Sequence, residues 1–201
     1  SLTGLSTQRL CGMAVDDELS VYLGGPYKIS WDNAIVWTSG LVQHSAPQYP
    51  SNISFWPLLP ACGKGMVSIV VGPSGDVYAL RPDRGMATGA RTNPKDQGRG
   101  LSAAFTLGDD LFVSAATTGT IYRAPCDLGA PFDTFFSPPA GTDLKGCTFA
   151  LSADKGIIFY GTGKRIYAIR RADGTVAWDR EGGHVRAARK GFLFSTSANP
   201  H

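Results

Sequence analysis

The stretch KRIYAIRRADGTVAW, residues 164–178, decides the fold of this chain. A short run rich in apolar residues is followed by the turn sequence Ala-Asp-Gly-Thr and by a second apolar run that ends at Trp178. An Asp-Gly pair between two runs of β-branched and aromatic residues is typical of a β-hairpin. The stretch therefore predicts two antiparallel strands, and the fold depends on how often this unit recurs.

Units with the same internal order recur along the sequence. Residues 12–37, 100–124 and 147–178 each begin with a small apolar strand and an acidic turn, followed by an aromatic strand, a Gly turn and a strand that contains tyrosine. Residues 65–88 fit this order less well, and we expect the first two strands of that unit to be fused or shortened. The repeat predicts a protein built from copies of one β unit.

The tyrosines of the third strands give the period of the repeat. They are separated by 51, 44 and 45 residues and are Tyr27, Tyr78, Tyr122 and Tyr167. A period in the forties with three or four strands per unit is the signature of a β-propeller blade. The 25 Gly and 13 Pro also interrupt any long helical pattern. We therefore expect an all-β propeller.

The predicted propeller is a single domain over residues 1–201, built of four-stranded blades. The predicted blades lie at about 11–40, 62–92, 99–140 and 145–182, and part of a fifth lies at 183–201. The fifth blade stops after two strands in GFLFSTSANPH, which leaves a sheet edge uncovered. Either residues 1–10 donate a strand and close five blades, or a protein partner or further copies of the chain complete the propeller; we expect the second.

The units at 164–178 and 28–37, KISWDNAIVW, resemble the repeat of the quinoprotein-like (PQQ-like) propeller family. In that family the third strand carries Tyr-Ala-Leu-Asp, and the fourth strand ends in a branched residue and Trp. The resemblance implies that Trp37 and Trp178 dock one blade on its neighbour, and that the ring has more than five blades. The catalytic members need a calcium site, an Asp base and often adjacent cysteines. This chain has no Cys-Cys pair, so we expect no cofactor.

The four cysteines predict an oxidising compartment. They stand far apart, with no C-x-x-C spacing, so a metal site is not expected. Buried thiols in a cytosolic protein are the alternative, but the even count, the three Met and the sequon Asn-Ile-Ser at Asn52 favour an exported protein, extracellular or periplasmic, glycosylated at Asn52. Cys126 and Cys147 flank one insertion and are expected to pair, which leaves Cys11 with Cys62.

Other polar and aromatic residues predict structure rather than chemistry. Asp16, Asp109 and Asp154 lie in equivalent turns, where Asp side chains bond nearby amides, so no metal is assigned to them. The three histidines, His44, His184 and His201, fit no hydrolase motif. Trp31 and Trp56 are expected to fill the core. We assign no catalytic residue.

Charge and hydropathy exclude two classes of partner. The net charge is +3 and the basic residues are scattered apart from KRIYAIRR, so a nucleic-acid interface is not expected. No apolar run reaches the length of a membrane span. The sequence favours a non-catalytic binding or scaffold module that acts through loops and blade edges. The alternatives are an extracellular hydrolase or lyase, a part of a quinoprotein-type oxidoreductase, or a carbohydrate-binding lectin.

Overall fold

The structure is a computed structural model of the chain. The described residues are 13–15, 19–23, 27–38, 59–62, 66–70, 76–81, 83–84, 87–92, 101–115, 117–144, 148–152, 154, 156–189 and 191–196. Within them every regular element is a β-strand, and no helix has the length and hydropathy that crossing a bilayer requires.

Eighteen strands form five sheets, which we number one to five along the chain. Sheet one contains β1 (Met13–Val15), β2 (Val21–Leu23), β3 (Tyr27–Ile29) and β4 (Ile35–Thr38). Sheet two contains β5 (Leu59–Cys62), β6 (Met66–Val70), β7 (Asp76–Leu80) and β8 (Ala87–Thr92). Sheet three contains β9 (Leu101–Leu107), β10 (Asp110–Ala115), β11 (Ile121–Pro125) and β12 (Asp133–Phe136). Sheet four contains β13 (Thr148–Leu151), β14 (Ile157–Gly161), β15 (Arg165–Arg170) and β16 (Val176–Glu181). Sheet five contains β17 (Val185–Arg189) and β18 (Phe192–Ser195).

Within each sheet, every strand pairs antiparallel with the next strand along the chain, so each sheet is a meander. The first strands of successive sheets lie side by side, because β1 contacts β5, β5 contacts β9, β9 contacts β13 and β13 contacts β17. The expectation of fused strands in the second unit is wrong. Its first strand, β5, precedes the segment in which we sought it and is separate from β6.

The hydrophobic core lies between neighbouring sheets. Val77 and Ala79 of sheet two pack against Leu111 and Val113 of sheet three. A larger cluster joins sheets three and four, with Leu107, Phe112, Ile121, Phe136, Ile158, Tyr160, Tyr167 and Ile169 at its centre. Alternation along a strand sends successive side chains to opposite faces, so an inner sheet is apolar on both faces. Sheets three and four are stabilised mainly by burial against their neighbours.

Aromatic rings and one hydrogen bond fix sheet four on sheet three. The ring of Phe105 stacks on Phe112 with centroids 4.9 Å apart, and it lies 4.7 Å from the ring of Phe149 in sheet four. The hydroxyl of Tyr160 donates a buried hydrogen bond of 2.8 Å to the carbonyl oxygen of Gly119. Burying a tyrosine hydroxyl requires such a partner, so this bond helps to set the position of sheet four.

The turn between β15 and β16 makes a close backbone approach to sheet three. Gly174 adopts a φ of 74°, and a Cβ at this position would lie 2.1 Å from the carbonyl oxygen of Phe135 in β12. A backbone oxygen at this distance has no room to move aside without shifting the whole strand. Glycine is therefore needed at position 174 for two reasons: the backbone has a positive φ, and a side chain would clash with the backbone of β12 in sheet three.

We expect Gly174→Ala to destabilise the fold more than Gly141→Ala does. Gly141 has a similar φ of 81°, but nothing lies within 4 Å of its added Cβ. The positive φ alone costs about 1–2 kcal/mol for a residue with a Cβ, and forced overpacking adds about 1–3 kcal/mol at Gly174. Denaturant unfolding of both variants measures the difference. Equal losses would contradict the close contact with β12.

Candidate functional site

In the described part of the chain, sheet five has two strands, whereas each of the other four sheets has four. Ala188 of β17 lies opposite Leu193 of β18, and both contact sheet four, together with Val185. On sheet four this cluster includes Ala150 and Ile166. Among the described strands, β18 pairs with β17 alone, so its other edge is open.

The opposite face of sheet five is apolar and uncovered. Phe192 and Phe194 alternate with Leu193 and therefore point away from sheet four. Their exposed fractions are 72% and 56%. Arg189 lies directly opposite Phe192 in the ladder and is exposed as well. Two aromatic rings beside a guanidinium thus face outward on the last described hairpin.

Trp178 lies on the part of sheet four that sheet five does not reach. Cross-strand partners Phe159, Ala168 and Trp178 form a row on the face turned towards sheet five. Sheet five is in contact with β13 and β14, whereas every residue of β16 is exposed. The exposed fraction of Trp178 is 40%, its ring lies 5.9 Å from that of Phe159, and the guanidinium of Arg180 lies 5.0 Å above it.

We use the name open edge for the exposed aromatic and basic residues near the unpaired edge of β18, which lie on both sides of sheet five. The open edge comprises Trp178, Arg180, Arg186, Arg189, Phe192 and Phe194. The three arginines are exposed, and none has an acidic partner in the described part of the chain. Nearby Asp179 is paired with Arg165 instead. The open edge therefore combines aromatic area, positive charge and an unpaired strand.

His184 lies beside this surface in the link from β16 to β17. Its backbone N–H donates to the Thr196 hydroxyl at 3.0 Å, and its carbonyl accepts from the Thr196 N–H at 2.9 Å. The imidazole is half-buried, and its Nδ1 has no hydrogen-bond partner in the described residues. These bonds hold the end of β18 against the link.

A second candidate is a cleft of about 630 Å³ beside the β14–β15 turn. Its walls carry two ion pairs, Lys164 with Asp143 and Arg165 with Asp179, and a further carboxylate at Glu181. Tyr167 lies beneath them, and its hydroxyl is 3.4 Å from that of Thr142. Both basic groups are ion-paired with carboxylates, so the cleft presents polar contacts.

The tryptophans differ in burial. Trp37, in the fourth strand of sheet one, is 7% exposed, whereas Trp178, in the fourth strand of sheet four, is 40% exposed. The blade-docking role of both residues stays a prediction. Trp31 lies in the β3–β4 turn and is 78% exposed, so the expectation that it fills the core is wrong. Trp56 lies outside the described residues.

The other predicted residues are placed as follows. All four marker tyrosines lie in the third strand of their sheets: Tyr27, Tyr78, Tyr122 and Tyr167. Cys126 is buried and disulfide-bonded, and the backbone of Cys62 lies in β5. Cys11, Cys147, Asn52 and Asp16 lie outside the described residues, so the two proposed pairings and the glycosylation site stay predictions. In the described part no cluster of His, Cys, Asp or Glu could hold a metal.

The acidic turns use their carboxylates locally. Asp154 accepts hydrogen bonds from the Ser152 hydroxyl at 2.5 Å and the Gly156 N–H at 2.9 Å, and the Ser152 bond is the main cause that lowers the pKa of Asp154. Asp173 accepts from the hydroxyl and N–H of Thr175, and the hydroxyl bond is the main cause that lowers its pKa. Both side chains stabilise turns, as expected for Asp154.

These bonds predict a loss of stability in acid. Both carboxyls have folded pKa values below the ordinary value of 3.8, so they stabilise the fold above pH 3.8. This contribution disappears as the pH falls through the lower folded values. We expect Asp154→Asn/Asp173→Asn to reduce the dependence of the unfolding free energy on pH below 3.8. Asp109→Asn, in an equivalent turn, is the control. An unchanged dependence in the double variant would contradict the role of these bonds.

Comparison with known proteins identifies the fold. No protein-family profile matches the sequence, and no curated protein does. Among solved structures, BamB from Moraxella catarrhalis is 17% identical with a TM-score of 0.55, and the match covers 96% of this chain and 56% of that one. Streptogramin B lyase is 12% identical with a TM-score of 0.69 and coverages of 96% and 64%. The WD40 β-propeller domain of Doa1 is 10% identical with a TM-score of 0.61 and coverages of 94% and 60%.

The chain thus spans between 56% and 64% of the length of these three structures. Identities this low establish the fold and not the activity. The predicted fold class, an all-β propeller with four four-stranded blades and part of a fifth, is confirmed.

Proposed function

We propose that this chain is a non-catalytic extracellular β-propeller that acts as a binding and scaffold module, with a protein partner that adds a strand at the open edge. One observation carries the proposal: among the described strands, sheet five has two where each of the other four sheets has four. A strand paired on one side presents a row of free N–H and C=O groups. An extended segment of another protein can use these groups by strand addition.

The apolar surface beside this edge supports the proposal. Phe192, Phe194 and Trp178 are 72%, 56% and 40% exposed, although the inner sheets bury their aromatic residues between neighbours. Exposed apolar side chains that lie next to each other, as Phe192 and Phe194 do on one face of β18, are typical of an interaction site. Aromatic residues and Arg are also enriched at protein interfaces. A partner that covers this area gains apolar burial in addition to the strand hydrogen bonds.

The cleft gives less support to an enzyme. Asp143 and Asp179 are held in ion pairs by Lys164 and Arg165. The cleft favours contact with a polar loop or ligand on the same binding module.

The extracellular location is supported by the disulfide at Cys126. Disulfides persist in oxidising compartments. Peptide mapping without reduction should yield two disulfide-linked pairs of peptides, and the sequence predicts Cys126 with Cys147 and Cys11 with Cys62. Four titratable thiols in the native protein would remove both the pairing and the argument for export.

The relation to the quinoprotein-like repeat is part of the proposal. It is supported by the tyrosine in the third strand of each four-stranded sheet and by Trp37 and Trp178 in the fourth strands of sheets one and four. In such a repeat each fourth-strand Trp is covered by the next blade, so the exposure of Trp178 also favours a partner on this side.

A fusion experiment tests strand addition at the open edge. A short segment of alternating Thr and Val is joined to His201 through a flexible Gly/Ser linker of about ten residues, which raises its effective concentration to the millimolar range. We expect amide exchange at residues 192–195 to slow at least about tenfold, since the added strand protects the edge. Acrylamide should also reach Trp178 less readily.

Two controls separate strand addition from unspecific contact. The same segment with two Val replaced by Pro cannot donate the ladder hydrogen bonds and should give no protection. Phe192→Lys/Phe194→Lys should remove the protection, whereas Leu19→Lys, at an exposed residue just before β2, should retain it. Equal exchange at 192–195 in the Val and Pro fusions would overturn the proposed function.

A further inference from the structure

Cys126 is disulfide-bonded, and its backbone places it at one end of sheet three. It directly follows β11, and its N–H donates a hydrogen bond of 2.8 Å to the carbonyl oxygen of Asp109, in the turn between β9 and β10. We call this the Asp109 end of the sheets. The turn between β10 and β11, which contains Gly119, lies at the other end of the same strands, the Gly119 end. The partner of Cys126 therefore has to lie at the Asp109 end.

Cys126 also lies on the side of sheet three that faces sheet two. It is buried and belongs to the cluster in which Leu111 packs against Val77 and Ala79 of sheet two. Phe112, the next residue of β10, points to the opposite face and contacts sheet four. The partner of Cys126 therefore has to approach from sheet two.

Cys62 lies at the required end of sheet two. It is the last residue of β5, and it pairs with Met66, the first residue of β6, beside the turn that joins these strands. The blades of a propeller are repeated around a central axis, so the turns between first and second strands lie at the same end in every sheet. The neighbouring first strands β5 and β9 are in contact. Cys62 and Cys126 are thus both at the Asp109 end, on adjoining sheets.

The register of sheet two places Cys62 on the face turned towards sheet three. Ser68 of β6 lies opposite Ala79 of β7, and Met66 is two residues from Ser68, so these three positions share one face. Cys62 lies opposite Met66 in the next ladder and shares the same face. Because Ala79 belongs to the cluster that contains Cys126, this face is the one that meets sheet three.

The other two cysteines precede first strands. Cys147 is followed directly by Thr148, with which β13 begins, and Cys11 comes two residues before β1. First strands begin at the Gly119 end, since each of them ends at its turn with the second strand. The two ends are separated by the five residues of β11, which span about 16 Å, whereas the Cα atoms of a disulfide lie about 4.4–6.8 Å apart. These positions disfavour both residues as the partner of Cys126.

We propose that Cys62 and Cys126 form a disulfide that joins sheets two and three at the Asp109 end. The sequence prediction of Cys126 with Cys147 rests on the insertion between them, whereas the strand positions bring Cys62 and Cys126 to one end and one interface. As the S–S bond forms, the two thiols lose two protons and two electrons, which an external disulfide accepts to become two thiols. This pairing leaves Cys11 with Cys147.

A peptide map of the unreduced protein tests the pairing directly. Cleavage after Lys and Arg places the four cysteines on four different peptides, which are residues 10–28, 29–64, 124–145 and 146–155. We expect 29–64 to be linked to 124–145, and the link to disappear on reduction. A link from 124–145 to 146–155 or to 10–28, or four free thiols, would overturn the proposal.

Single substitutions identify the partner by the thiol that they release. We expect Cys126→Ser to release one titratable thiol on the peptide 29–64, and Cys62→Ser to release one on 124–145. Cys147→Ser is the matched control and should keep these two peptides linked. Release of a thiol on 146–155 by Cys126→Ser would contradict the pairing.

Stability provides an independent measurement of the same bond. Cys62→Ser and Cys126→Ser should lower the urea midpoint by similar amounts, and the double variant should lower it no further, because the same bond is lost in all three. A double variant that loses the sum of the two single effects would show that the two cysteines belong to different bonds.

Discussion

Phe112→Ala is expected to lower the free energy of unfolding by about 3–5 kcal/mol, the range for a large buried aromatic side chain. Phe112 is 0% exposed and lies at the centre of the cluster between sheets three and four. Its ring stacks on Phe105 at 4.9 Å and meets the edge of Phe135 at 5.1 Å. Removing it leaves a cavity with rings on two sides, which the β-strands cannot close without moving a sheet.

Urea unfolding, followed by fluorescence and circular dichroism, measures this loss. Phe192→Ala is the matched control, since Phe192 is also in a strand but is 72% exposed. Substitutions at exposed positions change stability by about 0.5 kcal/mol or less. Similar losses in the two variants would mean that the interface between sheets three and four does not stabilise the fold as described.

Trp37→Ala is expected to cost about 3–5 kcal/mol, while Trp178→Ala should cost much less in the isolated chain. Both residues occupy the fourth strand of a sheet and match the same position of the repeat. Trp37 is 7% exposed and Trp178 is 40% exposed. The loss on truncation follows the apolar area removed from water, so the covered indole contributes more.

Chemical unfolding of the two variants gives the comparison, and acrylamide quenching of variants that retain one tryptophan tests the difference in burial. A loss at Trp178 as large as that at Trp37 in the isolated chain would contradict the exposure of the outer part of sheet four.

Much of the fold could be predicted from the sequence because its signals are local. The turn Ala-Asp-Gly-Thr between two apolar runs predicts the β15–β16 hairpin, and Asp173 and Gly174 form that turn in the structure. The spacing of the tyrosines predicts the repeat, and each tyrosine lies in the third strand of its sheet. A hairpin depends on turn residues and alternation within a few positions, both of which are visible in one sequence.

The candidate site could be predicted only in part. The sequence GFLFSTS predicts a final unit that stops after two strands, and sheet five has β17 and β18 alone among the described strands. The alternation of Phe192, Leu193 and Phe194 predicts a strand, but it does not indicate which face of that strand packs against the neighbouring sheet. Trp31 and Trp178 are apolar and were expected inside, yet both are exposed.

By itself, then, the sequence determined the period of the repeat and most of the strands, because turns and alternation act between neighbouring residues. It did not reveal β5 as a separate strand. Only the tertiary structure decided which aromatic residues are buried, how Arg180 and Arg189 come to flank one edge, and how Asp143 and Asp179 pair across the cleft. Burial and ion pairing depend on what lies over a residue, and in this fold that is the next sheet. The position of that sheet is set by packing between residues far apart in the chain.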